Sequence, residues 1–320
     1  GRTPLVDFTP QYTTLLPYLY APLLSLRPMS IGLLTIVNTA TTTVALTCGY
    51  GALRLLAGRP LRALALYLPA AALALLPMVQ AGDEVTTVAT LFAAAPSRLA
   101  GPLVCLLTVA LLARGPAGRR GLLAAGVVGG LTLVNNFEFG LPALAALVAA
   151  AALSTQAGPI RPAATVRHLL PLAGGIALAF AAFGLLSVIR GGDLPDPARA
   201  IYVSRQFAIA GVSMLPFGDL LGLAGIVFLT FVAAVAVGAA PALLGTRAMD
   251  RRGRTETAVL TFTGVFGVGA FAYFVGRSHP FVLVSVFCAW GFALAALALT
   301  SARRLNAPGG ARRAGAPLAL

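Results

Sequence analysis

Residues 119–167 read RRGLLAAGVVGGLTLVNNFEFGLPALAALVAAAALSTQAGPIRPAATVR. Both ends carry Arg, one polar break (Asn135, Asn136, Phe137, Glu138) interrupts the middle, and apolar residues fill most of the rest. Taken as one helix, the stretch 121–153 would run about 50 Å at 1.5 Å per residue. That is well beyond the ~30 Å hydrocarbon core of a bilayer. The sequence therefore predicts two short antiparallel helices with Asn135 to Glu138 at the tip. Both Arg ends then lie on one side of a membrane and Glu138 on the other.

The same alternation continues outward along the chain. Arg clusters fall at 54–62, 114–120, 161–167, 247–254 and 303–313, while seven of the nine acids fall in the other gaps. Basic loops are retained in the cytoplasm during insertion, so the Arg-bearing gaps are assigned there. Apolar stretches approaching the ~20 residues of a spanning helix occur at 30–53, 62–80, 169–189, 220–245, 257–275 and 280–301. Shorter ones occur at 98–113, 121–134 and 139–153. The expected fold is all-α: a polytopic transmembrane helical bundle of about nine spans, amino end outside and carboxyl end inside. Residues 1–29 are expected to be an extracytoplasmic loop with an interfacial amphipathic segment, and 30–302 the transmembrane helical domain. Residues 303–320 lack the hydrophobicity to fold alone and read as a disordered basic cytoplasmic tail.

Composition supports the same class, since 58% hydrophobic and 10% charged residues leave too little polar surface to cover a soluble globule of 320 residues. The net charge of +14 comes from 23 Arg and no Lys, and 16 of those Arg lie in the gaps assigned to the cytoplasm. This is positive-inside bias with attraction to anionic membrane lipids, and it argues against nucleic acid as a partner. Arg without Lys, beside abundant Ala, Gly and Pro, reads as GC-rich coding of the actinobacterial kind, which places the protein in a bacterial plasma membrane. Cys48, Cys105 and Cys288 each sit inside an apolar run without metal-ligand spacing, so they read as small buried hydrophobes. No phosphate-cradling Gly-rich motif, GxSxG elbow or HExxH stretch is present.

Sorting polar residues by side places every plausible carboxylate site outside, because only Asp250 and Glu256 among the acids face the cytoplasm. Arg277 and His279 share a gap of about four residues between two apolar stretches. A guanidinium and an imidazole held at one membrane surface make a lipid-phosphate site, against the plainer reading of a tight turn with a snorkelling Arg. Arg205 and Arg98 are further outer cations open to the same role, Arg205 lying with Arg199 and Tyr202 on a short amphipathic helix expected from Pro197 onward. Glu138, with Asn135 and Asn136, tips a hairpin short enough to sit below the outer surface, where an ionisable group is costly and suspect. Asp7 lies where Pro4, Pro10 and Tyr12 restrict the backbone, and a carboxylate there can act as a base or bind a cation, so a divalent metal is compatible with the outer set although no metal cluster is legible. The adjacent Asp83 and Glu84 diverge by about 100 degrees on a helix and do not form an acid/base pair. The hydroxyls and amide of the first span, Thr35, Asn38, Thr39, Thr41, Thr42, Thr43 and Thr47, are expected to bond backbone carbonyls or neighbouring helices.

The stretch GRTPLVDFTPQYTTLLPYLYAPLL at 1–24, followed at once by a span, resembles the distal half of the first outer loop of GT-C type membrane glycosyltransferases. Gly1, Pro4, Asp7, Phe8, Tyr12 and Pro17 carry the resemblance, and the short-helix hairpin around Asn135 and Glu138 is similar to paired helices of that family. The resemblance implies transfer of a sugar from a polyprenyl-phosphate donor to an extracytoplasmic cell-envelope glycan or lipid. A carboxylate would act as general base, and outer cations would receive the released polyprenyl phosphate. In that family the catalytic acid precedes this loop segment, so the resemblance implies a fragment whose base lies upstream of Gly1, with Asp7 secondary. Two readings from other classes stay open: a transporter or flippase for a lipid or small solute, disfavoured by the scarcity of mid-span charges, and a non-catalytic membrane subunit.

Overall fold

The computed structural model describes residues 2–10, 13–26, 30–79, 98–115, 117–155, 161–211, 222–244, 249–276, 278 and 280–306. Among them the chain forms twelve helices, α1 Leu16–Leu26, α2 Ile31–Ala57, α3 Pro60–Val79, α4 Ala100–Leu112, α5 Arg119–Asn135, α6 Phe137–Ser154, α7 Pro162–Gly191, α8 Pro197–Ala210, α9 Leu223–Leu243, α10 Arg251–Val275, α11 Pro280–Val284 and α12 Phe287–Leu305. Within the described residues, eight of the nine apolar stretches each hold one unbroken helix, and the ninth, 280–301, is divided between two helices. Five helices, α2, α6, α7, α9 and α10, are long and apolar enough to cross a membrane, while α4 and the first part of α3 are shorter apolar helices. Leu178, Leu185 and Ile189 on α7 and Ile226, Leu229 and Val232 on α9 are exposed. So wide an apolar surface is solvated by lipid, not by water.

Between helices in lipid, close van der Waals packing takes over from the hydrophobic effect. The extensive α5–α7 contact shows how. A Cβ added to Gly126 would lie 2.0 Å from the carbonyl oxygen of Leu172, and one added to Gly175 would lie 2.0 Å from that of Leu123. The two backbones therefore touch, which only glycine permits. The main core lies among α2, α4, α6, α10 and α12, with the side chains of Leu53, Leu106, Leu147, Phe262 and Phe292 fully buried.

Four hydroxyls of α2 bond within their own helix, Thr35 to Ile31 O at 2.9 Å, Thr41 to Val37 O at 2.9 Å, and Thr43 and Thr47 to the carbonyls of Thr39 and Thr43 at 2.8 Å, whereas the Thr42 hydroxyl is buried without a hydrogen-bond partner. Asn38 instead accepts from the Tyr20 hydroxyl and ties α1 to α2. The stretch 280–301, expected as one helix, is interrupted. A turn with Ser285 N donating to Val282 O and Val286 N to Leu283 O, both at 3.0 Å, separates α11 from α12. The turn brings Ser285 to the side chain of Arg98, and α12 then runs on to Leu305.

Candidate functional site

The predicted hairpin is present and tighter than its polar run suggests, because Asn136 alone separates α5 from α6. Its extended backbone (φ −149°, ψ 114°) reverses the chain, and its Oδ1 caps α6 by accepting from Phe139 N at 2.8 Å. Gly140 makes the reversal possible, since a Cβ there would lie 2.4 Å from Thr132 O. Asn135 serves a distant segment. Its Oδ1 accepts from Thr13 Oγ1 at 2.6 Å and Leu15 N at 3.1 Å, and its carbonyl accepts from Thr14 N at 2.9 Å. Three bonds thus fasten the start of α1 to the hairpin tip, and Thr13 Oγ1 in turn accepts from Leu16 N at 3.3 Å.

The amino-terminal segment is shaped by Asp7. Its Oδ2 accepts from Thr3 N at 2.5 Å while its own N–H donates to Thr3 O at 2.8 Å, closing a turn that Leu5 N to Phe8 O, at 2.9 Å, reinforces. Leu5, at the bend, has φ +63°, a left-handed conformation rare for a branched non-glycine residue and one that persists only where the surroundings hold it. Those surroundings are visible: Leu5 is buried against Val134 and Phe183, and its carbonyl accepts from Asp196 N at 3.0 Å. Arg199 donates to Val6 O, so the turn is held from the α8 side as well.

These contacts enclose a cavity of about 290 Å³ between the amino-terminal segment, the hairpin tip, α7 and α8. Its walls are largely apolar, including Leu5, Phe180, Phe183 and Ile201. Its polar groups are Thr13, Thr14, Asn135, Asn136, Glu138 and Ser204. Mostly apolar walls with a few convergent polar groups are the usual form of a small-molecule site. Half-buried Glu138 accepts from Ser204 Oγ at 2.6 Å, which joins the hairpin to α8. Asn135 has its carbonyl oxygen taken twice, so its amide nitrogen remains as a donor. Beside the cavity, Tyr18 meets Phe183 edge-on at 6.4 Å between ring centroids, and burial pushes its phenol pKa up.

Of the residues singled out from sequence, Glu138 lines this cavity, whereas Asp7 is exposed and spends its carboxylate on its own turn. Arg205 is exposed on α8, directly after Ser204. Arg98 is not a surface cation. It is buried, stacks over Phe139 and Tyr273 at 5.5 and 5.0 Å from the ring centroids, and donates to the Tyr273 hydroxyl at 2.8 Å. A cavity of about 20 Å³ beside it has room for one water molecule. Arg277 and His279 lie outside the described residues, as do Tyr12, Asp83 and Glu84. Among the described residues no three His, Cys, Asp or Glu side chains lie together. Sequence reasoning missed Ser204 and Thr13, which carry no motif and acquire meaning only through partners 66 and 122 positions away. Compared with known proteins, the chain matches no family model, no curated protein and no solved structure.

Proposed function

We propose that the protein is a membrane glycosyltransferase of GT-C-like architecture that transfers a sugar from a polyprenyl-phosphate donor to a cell-envelope acceptor on the outer face of a bacterial plasma membrane. The bundle spans that membrane about nine times, amino end outside and carboxyl end inside. The observation that carries the reading is the cavity of about 290 Å³. It is formed where the segment bearing the family resemblance closes over the hairpin tip, and it combines a carboxylate and amides with apolar walls.

In this reading the acceptor hydroxyl attacks the anomeric carbon of the donor sugar. The bond from that carbon to the phosphate oxygen breaks, polyprenyl phosphate leaves, and the hydroxyl proton passes to a carboxylate. Among the described residues, Glu138 is the carboxylate that lines the cavity. Arg205, which follows Ser204 on α8, and Arg277 and His279 are the cations assigned to the departing phosphate, where charge develops. Asp7 shapes the wall.

The test is transfer of radiolabel from a panel of polyprenyl-phosphate sugars into lipid or glycan, using membranes that contain the full protein. Transfer abolished by Glu138→Gln with normal protein levels supports the reading. A stable protein that transfers from no donor, or one that Glu138→Gln leaves fully active, overturns it. The orientation is checked separately with single cysteines on a cysteine-free background. A thiol at Asp193 should react with an impermeant reagent in intact cells, and one at Arg119 only after lysis.

A further inference from the structure

The opposite end of the bundle holds a second cleft, of about 350 Å³, between the ends of α3, α10 and α12. Three arginines from three sequence clusters line it, Arg62, Arg252 and Arg303, together with Asn306. Glu256 is the local acid. It pairs with Arg303 at 2.8 Å and Arg304 at 3.1 Å, so one carboxylate is shared by two guanidinium groups. Asp250 is engaged in capping α10 through Gly253 N at 2.6 Å. Among the described residues neither Arg62 nor Arg252 has a carboxylate partner. The guanidinium of Arg303, past the end of the apolar stretch 280–301, is pulled below its usual range by burial, with Glu256 opposing and Arg252 adding to the effect. Gathering like charges around a cleft is unfavourable unless an anion joins them.

The rest of the lining is apolar, Ala57, Ala65, Leu66, Ala298 and Leu299, and the outer face of α3 beside it exposes Leu61, Leu64 and Leu68. The charged and apolar parts adjoin, as the head and chain of an amphiphile do. We propose that this cleft binds a phosphate-bearing anion, an anionic phospholipid whose headgroup phosphate is held by Arg62, Arg252 and Arg303 and whose acyl chains lie along Leu64 and Leu68 of α3. Planar guanidinium groups donate two parallel N–H bonds to phosphate oxygens, and Asn306 supplies a neutral donor. The volume falls within the range of ordinary ligand sites. The site is independent of the cavity at the hairpin tip.

The experiment uses the full protein purified in a neutral detergent. Its thermal midpoint is followed while phosphatidylglycerol, phosphatidylcholine or inorganic phosphate is added. The expected result is stabilisation by phosphatidylglycerol and none by phosphatidylcholine. The apparent affinity should fall about fivefold for each arginine removed in Arg62→Gln and Arg252→Gln, with no change in the control Arg167→Gln on the same end. Stabilisation by inorganic phosphate alone, lost in the same variants, keeps the anion site and replaces the lipid with a free phosphate. Equal response to both lipids, or full retention of the effect in the Arg62→Gln/Arg252→Gln double variant, overturns the proposal. The variants alter exposed side chains, and their midpoints without added lipid report whether they fold.

Discussion

Ser204 Oγ donates to Glu138 Oε1 at 2.6 Å, and this bond joins the tip of the α5–α6 hairpin to α8 at the margin of the cavity. It orients a carboxylate that lines the cavity. Substitutions should therefore separate the carboxylate from its support. Glu138→Gln keeps an acceptor for Ser204 but removes the charge, and is expected to lower sugar transfer by at least about 100-fold, the usual scale of a lost acid/base group. Ser204→Ala should lower it by about tenfold or less, since only orientation is lost. Initial rates with a saturating polyprenyl-phosphate sugar distinguish the two.

Asp7 invites the opposite expectation. Its carboxylate is used within the turn from Thr3 to Asp7, so its contribution is to the shape of the cavity wall. Asp7→Asn, which retains an acceptor oxygen, should keep most activity. Asp7→Ala should loosen the turn by about 1 to 3 kcal/mol, raising exchange of the Thr3 and Leu5 amides. Loss of activity in Asp7→Asn with unchanged amide protection would instead give the carboxylate a direct part in chemistry.

Arg98 should behave as a structural cation. It loses two ring contacts and the bond to the Tyr273 hydroxyl when truncated. Arg98→Ala is expected to cost about 2 to 4 kcal/mol, and Tyr273→Phe about 1 to 2 kcal/mol because the ring face remains. Thermal unfolding of the detergent-solubilised protein measures both, and a stable Arg98→Ala protein that fails only in donor binding would return Arg98 to the phosphate role.

At the α5–α7 contact, Gly175→Ala puts a Cβ 2.0 Å from a backbone carbonyl oxygen and should destabilise by about 3 kcal/mol or more. Gly174→Ala meets nothing within 4 Å and should be neutral or stabilising by up to about 1 kcal/mol. The pair, compared by the same unfolding assay, isolates close packing from helix propensity.

The hairpin around Asn135 to Glu138 was legible because a length limit decided it: too many apolar residues for one crossing, with a single polar break. The short helix from Pro197 was legible through its mixed periodicity, and four of the α2 hydroxyls through their habit of bonding backwards by one turn, which the buried Thr42 hydroxyl does not follow. The interruption after Val284 was not legible, since a single Ser within an apolar run is ordinary inside a helix, and what Ser285 meets, the Arg98 side chain at 3.5 Å, lies far away in sequence. Arg98 misled as a sequence feature for a related reason. Charge at the edge of an apolar run signals a membrane surface unless aromatic rings from other helices bury it, and Phe139 and Tyr273 are far from it in sequence.

Composition, the length of apolar runs and the alternation of Arg with Asp and Glu by themselves determined a helical membrane protein, because these are solvation properties that each segment expresses alone. Only the tertiary structure decided that Thr13 meets Asn135, that Ser204 meets Glu138, and that Arg62, Arg252 and Arg303 share one cleft. Such contacts depend on how helices pack side by side, and packing between apolar surfaces in lipid is governed by local shape at positions such as Gly126 and Gly175, for which hydropathy carries no signal.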